Sequence, residues 1–269
     1  MKGDFHMHTT YSDGALSVSE VLDIGKKLDY ISITDHDYLQ GAFDALAMAR
    51  SKPKIIIGFE LSTEHLGESI HILGYFSSMN RLDELNQYLQ KQRDNRLRRA
   101  YIIKEKLLQY FNIDLNMDFT KSIDSVTRGT IAEQIIKQGF PYKKEDIFKH
   151  MIGRGCPAYL PSTKLATKEG IALIHQYLGL AVLAHPTNLK DVKIDDIIAM
   201  GIDGIEAIYS QNKPFEEEMF REIAKDNHLF ITAGSDFHRF DDYKHGDIGS
   251  VVLENDELAV FLKELGIII

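Results

Sequence analysis

The stretch Asp4-Phe5-His6-Met7-His8-Thr9 decides how the rest of the chain is read. It is apolar enough for a buried strand, yet it carries two histidines two positions apart. In an extended chain, residues i and i+2 point to one face, so His6 and His8 are expected side by side. A single His-x-His pair is a weak sign of metal, but the pattern recurs. Tyr30-Ile31-Ser32-Ile33-Thr34 reads as a second strand and runs into Asp35-His36-Asp37. Ile55-Ile56-Ile57-Gly58-Phe59 ends on Glu60, a carboxylate that is costly to bury unless it is paired or metal-bound. His71 lies inside Ser69-Ile70-His71-Ile72-Leu73-Gly74-Tyr75. Val182-Leu183-Ala184 ends on His185, where Pro186 stops the strand. Phe230-Ile231-Thr232-Ala233 leads into Gly234-Ser235-Asp236-Phe237-His238, which repeats the i, i+2 spacing. Asp13 falls in the turn Tyr11-Ser12-Asp13-Gly14, just past the first strand.

Helical stretches separate these strands. Ser17 to Leu28 is expected as a helix, with Ser17 as N-cap and Glu20 completing a capping box. Gly41 to Arg50, and stretches beginning at Ala166, Ile194, Phe215 and Glu257, follow the same period. Repeated strand–helix units predict an α/β fold with a parallel sheet. The rhythm changes between about Asn80 and His150, where the chain is mostly helical and more charged. Residues 1–79 and 160–269 are therefore expected to form one domain, and 80–159 a helical insertion. In an α/β barrel the C-terminal strand ends converge on one face. That would gather His6, His8, Asp13, His36, Glu60, His71, His185, Asp236 and His238. Imidazole with carboxylate suits Zn, Mn or Fe. Nine ligands are too many for one tetrahedral ion and suit two or three divalent ions sharing Glu60. His150, His175 and His228 read as ordinary surface or helix residues. His65 and His245 fall in loops that can approach the site, and the ordinary loop reading is preferred for both.

Composition narrows the function classes. The 269 residues carry 31 Lys+Arg against 40 Asp+Glu, a formal charge of -9, which argues against a basic nucleic-acid coat. The 44% hydrophobic content argues against disorder. No apolar run approaches the roughly 20 residues of a membrane span, and the polar N-terminus does not read as a signal peptide. Cys156 is the single cysteine, so no intrachain disulfide can form and a cytoplasmic location is expected.

The order of the motifs His6-x-His8, Thr34-Asp35-His36, Glu60, His71, Ala184-His185-Pro186 and Gly234-Ser235-Asp236-x-His238 resembles the PHP (polymerase and histidinol phosphatase) superfamily. The resemblance covers nearly the whole chain and is nearest to stand-alone bacterial phosphoesterases with a helical insertion. It implies a distorted (β/α)7 TIM-like barrel and a trinuclear metal site. It also implies action on nucleoside 3′,5′-bisphosphates or on short RNA from the 5′ end. His6, His8, Glu60 and Asp236 would hold one ion; Glu60, His71 and His185 a second; Asp13, His36 and His238 a third. Asp35 would orient a ligand. In the family the insertion often reads Arg-Pro-His-Ile-Ala, with the Arg and His facing the substrate phosphate. Here the stretch is Arg128-Gly129-Thr130-Ile131-Ala132, so Arg128 is kept and Thr130 stands in the place of the His.

Three divalent ions against Asp13, Glu60 and Asp236 leave a formal excess of about +3, so the site would attract anions despite the acidic chain. Two ions about 3.5–4 Å apart can share a bridging hydroxide that attacks phosphorus. Arg128 would clamp the phosphoryl oxygens, and His238 or His185 would pass a proton to the leaving group. Arg96 and Arg99 share a helix face and either meet a nucleotide phosphate or form a solvated basic face, the latter preferred. Tyr159 either stacks on a base or packs. The expected partner is a small phosphoester such as a nucleoside bisphosphate or AMP, or a short RNA, with no membrane and no obligatory protein partner. Two alternatives remain: a phosphatase for a small non-nucleotide phosphate such as histidinol phosphate, and a non-catalytic metal-binding protein.

Overall fold

The computed structural model describes residues 1–49, 51–121 and 126–268. The first half contains β1 (Lys2–Asp4), α1 (Val18–Gly25), β2 (Tyr30–Ile31), α2 (Gln40–Met48), β3 (Lys54–Ile55), β4 (Ile57–His65), β5 (Glu68–Phe76) and the long α3 (Leu82–Phe111). Then come α4 (Arg128–Lys137) and α5 (Lys144–Ile147). The second half contains β6 (Leu165–Ala166), α6 (Thr167–Gln176), β7 (Leu180–Leu183), α7 (Ile194–Ile198), β8 (Gly204–Tyr209), α8 (Glu216–Asp226), β9 (Phe230–Gly234), β10 (Leu253–Glu254) and α9 (Asn255–Glu264). The expected capping box is present: Ser17 accepts from the Glu20 amide, and the Glu20 carboxylate accepts from the Ser17 amide. The expected end of the second helix, Arg50, lies outside the described residues.

The fold is mixed α/β, as expected, but its strands form two sheets and not one closed barrel. Their orders are β10-β1-β2-β3 and β6-β4-β5-β7-β8-β9. The ladders β1–β2–β3 and β7–β8–β9 are parallel. β5 runs antiparallel to both β4 and β7, and β10 antiparallel to β1. The two sheets touch at two isolated bridges, Met7 with Phe237 and His36 with Glu60.

The reason for the break lies in the first strand, expected over residues 4–9 but ending its ladder at Asp4. Beyond Asp4 the backbone divides its hydrogen bonds between two neighbours. Phe5 and His8 donate to the carbonyls of Ala233 and Phe237, while Thr34 donates to the carbonyl of Met7. The Met7 amide goes to the Thr34 hydroxyl, 3.1 Å away. The alternation of side chains survives. Phe5 and Met7 are fully buried on one face, and His6 and His8 are fully buried on the other. Phe5 packs edge-on against Phe261 at 4.9 Å, and its carbonyl accepts from the Tyr75 hydroxyl at 2.9 Å. Met7 joins Ile31, Ile33 and Phe237 in a second core cluster.

Glu60 was expected at a strand end but lies mid-strand in the β4–β5 hairpin, while His71 lies inside a strand as expected. Glu60 pairs with Leu73 and Ser62 with His71. Glu60 and His71 are therefore diagonal neighbours on one face, close enough for long side chains to meet.

Chain contacts divide the molecule into two compact units, Met1–Gln87 with Leu165–Ile269, and Tyr88–Lys164. The second has its own apolar core, including Ile103, Leu107, Ile131, Ile135 and Ile147. Among the described residues no helix is long and apolar enough to cross a membrane.

Gly234 shows how tightly backbone and site are fitted. A Cβ there would lie 2.1 Å from Glu206 Oε1 and 2.3 Å from the Cβ of His6. Gly234→Ala is therefore expected to destabilise the fold by about 1–3 kcal/mol, the usual range for overpacking. Urea denaturation of the metal-free protein checks it. A stability within error of the parent would show that the two strands can part without loss.

Candidate metal centre

Nine side chains from seven places in the sequence meet in the first unit. Glu60 is at the middle and 1% exposed. Its Oε2 lies 3.3 Å from His6 Nε2, 3.3 Å from His8 Nε2 and 3.0 Å from His36 Nδ1. Its Oε1 lies 2.8 Å from His71 Nδ1 and 2.9 Å from His185 Nε2. Asp236 Oδ1 lies 3.3 Å from His6 Nε2 and 3.2 Å from His8 Nε2. Asp13 is 3.2 Å from His238 Nε2, 3.6 Å from His8 Nδ1 and 3.8 Å from His36 Nε2. All nine expected ligands are thus brought together.

Local structure explains each placement. His6 and His8 come from the extended segment after β1, and the two Nε2 atoms approach to 3.2 Å. His36 follows β2 and is held where Asp37 donates its amide to the Glu60 carbonyl. His185 and Asp236 follow β7 and β9 with φ of 27° and 54°, in the left-handed region. Such positions cost on the order of 1–3 kcal/mol and persist only where their surroundings hold them. The His185 amide is held by Glu206 Oε2 at 2.7 Å, and the Asp236 amide by the His6 carbonyl at 2.8 Å.

Around the nine lies a shell that orients them. Asp35 accepts from the Thr9 amide, the Thr9 hydroxyl and the Ser12 hydroxyl at 2.7–2.8 Å. Ser12 is also 3.2 Å from His8 Nδ1. The Asp35 carboxylate therefore reaches His8 only through this turn and bonds none of the nine side chains among the bonds described, while its carbonyl accepts from the Glu60 amide. Glu206, on β8, was missed in the sequence. It is fully buried and takes His6 Nδ1 at 2.9 Å. Its signal was available: a lone carboxylate in the apolar run Gly204-Ile205-Glu206-Ala207-Ile208, the same sign that marked Glu60. His245 was set aside as a loop residue, yet its ring stacks on His238 at 4.1 Å. Ligand-capable atoms of Asp236, His238 and His245 lie within 4.8 Å of one another.

The electrostatics are those of carboxylates in need of cations. Burial disfavours charge on His6, but Glu206, Asp236 and Glu60 outweigh it and hold its pKa well above the ordinary imidazole value. Burial opposes charge on His8 too, yet bonds to Asp236 and Glu60 push it up to about 10. For His71 burial wins, and its pKa falls to about 4. Burial disfavours the Glu60 carboxylate, but the imidazoles around it, His36 foremost, hold its pKa well below the usual range. Asp13 Oδ1 and His36 Nδ1 are buried and make no well-aligned hydrogen bond among the described residues, although they lie 3.2 Å from His238 Nε2 and 3.0 Å from Glu60 Oε2. A converging set of imidazole nitrogens and carboxylate oxygens with unsatisfied members fits divalent cations, which take such ligands. With the outer nitrogen of His6 tied to Glu206, the inner one faces the centre and is the atom that would bind a cation once its proton is displaced.

The expected substrate residues lie in the second unit. Arg128 rests on the Tyr159 ring at 5.1 Å and donates to the Ile152 carbonyl at 3.5 Å. Thr130 is engaged in a reciprocal cap with Thr127 at the start of α4. Arg96 and Arg99 are only 5% and 8% exposed, so they do not form the solvated face that was preferred. Arg99 donates to the Leu160 carbonyl at 2.9 Å. His175 pairs with Asp203 at 2.7 Å, away from the centre.

Comparison with known proteins agrees with this geometry. The chain is 29% identical over 250 residues to the 5′-3′ exoribonuclease Rnm of Escherichia coli, covering 88% of this chain and 85% of that one. It is 27% identical over 248 residues to a 3′,5′-nucleoside bisphosphate phosphatase of Chromobacterium violaceum, covering 87% and 86%. Among solved structures, a candidate metal-dependent phosphoesterase from Bifidobacterium adolescentis superposes with a TM-score of 0.71 at 26% identity, over 97% of this chain and 96% of that one. Residues 4–152 match the PHP domain, and they hold the first six of the clustered ligands, so the chain belongs to the PHP domain family.

Proposed function

We propose that this protein is a metal-dependent phosphoesterase whose centre holds two or three divalent ions, Mn, Fe or Zn, on His6, His8, Asp13, His36, Glu60, His71, His185, Asp236 and His238. The observation that carries the reading is the buried Glu60 carboxylate with five imidazole nitrogens at 2.8–3.3 Å. Divalent ions bound there supply Lewis-acid polarisation of phosphoryl oxygens and lower the pKa of water towards neutrality. The residues of the chain do the rest. Glu206 and Asp35 fix the orientation of His6 and of the turn beside His8. His238 puts its Nδ1 on the Asp236 carbonyl at 2.8 Å, which turns its Nε2 towards Asp13 and the centre as a ligand. Arg128 serves as the phosphate clamp, and its contact with Tyr159 supports a pre-ordered guanidinium. Tyr159, in contact with Arg128, is the second substrate residue of this reading, and Thr130, engaged in the cap of α4, has the weaker claim. Burial of Arg96 and Arg99 favours a structural part for them.

The substrate is a nucleotide phosphomonoester, or the end of a short RNA, and the relatives named for bisphosphate and RNA cleavage support that choice. The two bridges between the sheets support reading them as a distorted, unclosed barrel, with the centre where the sheets meet. The single, half-buried Cys156 supports a cytoplasmic setting.

Phosphate release by the Mn-loaded protein from adenosine 3′,5′-bisphosphate, AMP, histidinol phosphate and 5′-phosphorylated RNA tests the reading. Preference for the bisphosphate or the RNA is expected. Preference for histidinol phosphate would move the function to small non-nucleotide phosphates, and no release with metal bound would leave a non-catalytic metal protein. Glu206→Gln should weaken metal binding or turnover about 10–100-fold, the usual effect of losing a residue that orients a ligand. Unchanged metal affinity and turnover would remove Glu206 from the centre. Metal loading at pH 7 should also release protons. The His8 pKa of about 10 means that His8 is charged in the metal-free fold, while a ligand must be neutral. By the same sign, its contribution to metal-free stability is full below about pH 6.5 and is lost as pH rises through about 10. Calorimetric metal titrations in buffers of different ionisation enthalpy read the proton count, and buffer-independent heats would contradict it.

A further inference from the structure

We propose that His245 is a tenth ligand of the metal centre, binding a divalent cation together with Asp236 and His238; the proposal rests on the metal-centre reading above. His245 Nδ1 lies 2.7 Å from Asp242 Oδ2. A carboxylate accepts, so Nδ1 carries a ring proton, which leaves Nε2 as the atom able to take a cation. This is the arrangement of His6 with Glu206 inside the centre, and the one that orients metal-binding imidazoles in general.

Nε2 of His245 faces Asp236 Oδ2 at 3.8 Å, too far for a hydrogen bond. A cation between the two would be within reach of both, as imidazole nitrogen and carboxylate oxygen are both metal ligands. The ring is stacked on His238 with 24° between planes, and the ligand-capable atoms of Asp236, His238 and His245 fall within 4.8 Å of one another. Asp236 then serves two positions. Its Oδ1 faces His6 and His8, and its Oδ2 faces His245 and accepts from the Tyr209 hydroxyl at 3.1 Å.

The segment that carries His245 is pinned in place. Asp242 also accepts from the Lys244 amide at 2.9 Å. The Gly246 amide donates to the Ser235 carbonyl at 2.8 Å. A Cβ on Gly246 would lie 2.7 Å from the Cβ of Ser210, so the loop can approach β8 only because that atom is missing. The His245 side chain is 23% exposed, which puts the tenth ligand where the centre meets solvent.

Equilibrium dialysis against Mn2+ with elemental analysis, on the parent, His245→Ala and Asp242→Asn, tests the proposal. His245→Ala should lose one ion or bind it about 10–100-fold more weakly, and Asp242→Asn should weaken the same ion about tenfold. Metal-free melting temperatures should match the parent, while the rise in melting temperature on adding Mn2+ should shrink. If His245→Ala lowers the metal-free melting temperature, Asp242→Asn decides, because it keeps the imidazole. The same number of ions with the same affinity in both variants, with altered turnover or not, would overturn the proposal. The centre would then be complete without His245, and only an altered turnover would assign the residue to substrate. A parent that binds no Mn2+ would instead overturn the metal-centre reading itself.

Discussion

Glu60 is 1% exposed, and its two oxygens meet imidazoles of His6, His8, His36, His71 and His185. A buried carboxylate is stable only when its charge is answered, and here the answer comes from five separate positions in the sequence. The backbone of the same residue joins the two sheets. Its amide donates to the Asp35 carbonyl, and its carbonyl accepts from Asp37. Fold and centre are therefore not independent: moving Glu60 would part the sheets and scatter the ligands together. Cations at the centre would add to the stability of the native state, because the unfolded chain cannot gather these groups.

The sequence made the ligands legible because strand geometry is local. Period-two alternation puts His6 and His8 on one face whatever the sheet does, and they are there, with Phe5 and Met7 on the other. The strand Gly204 to Tyr209 and the Ser17 cap were readable for the same reason. Strand direction was less so. The β4–β5 hairpin turns at Leu66 and Gly67, both with positive φ, and that short connection was the available sign that β5 runs antiparallel. Glu60 was likewise read at a strand end, because the continuation of β4 to His65 was not recognised.

What could not be read depends on tertiary packing. His245 sits in no periodic element, and only the fold brings its ring over His238. Arg96 and Arg99 looked like a solvated pair because helix spacing tells which residues share a face, not what covers it. Thr130 has a local explanation: as the third residue of α4 it reciprocates the Thr127 cap, a task for which a hydroxyl serves well. The left-handed backbone at His185 and Asp236 also has no sequence signature, since neither residue is glycine. Strain gathers there at the ligands, held by Glu206 and by the His6 carbonyl.

The chemistry of this centre depends on cations between these side chains. The most direct measurement is the anomalous diffraction of crystals grown with Mn2+. Two or three strong peaks are predicted, each among the nitrogens and oxygens of His6, His8, Asp13, His36, Glu60, His71, His185, Asp236 and His238, with Glu60 touching more than one. Peaks elsewhere, or none at the Glu60 carboxylate, would contradict it.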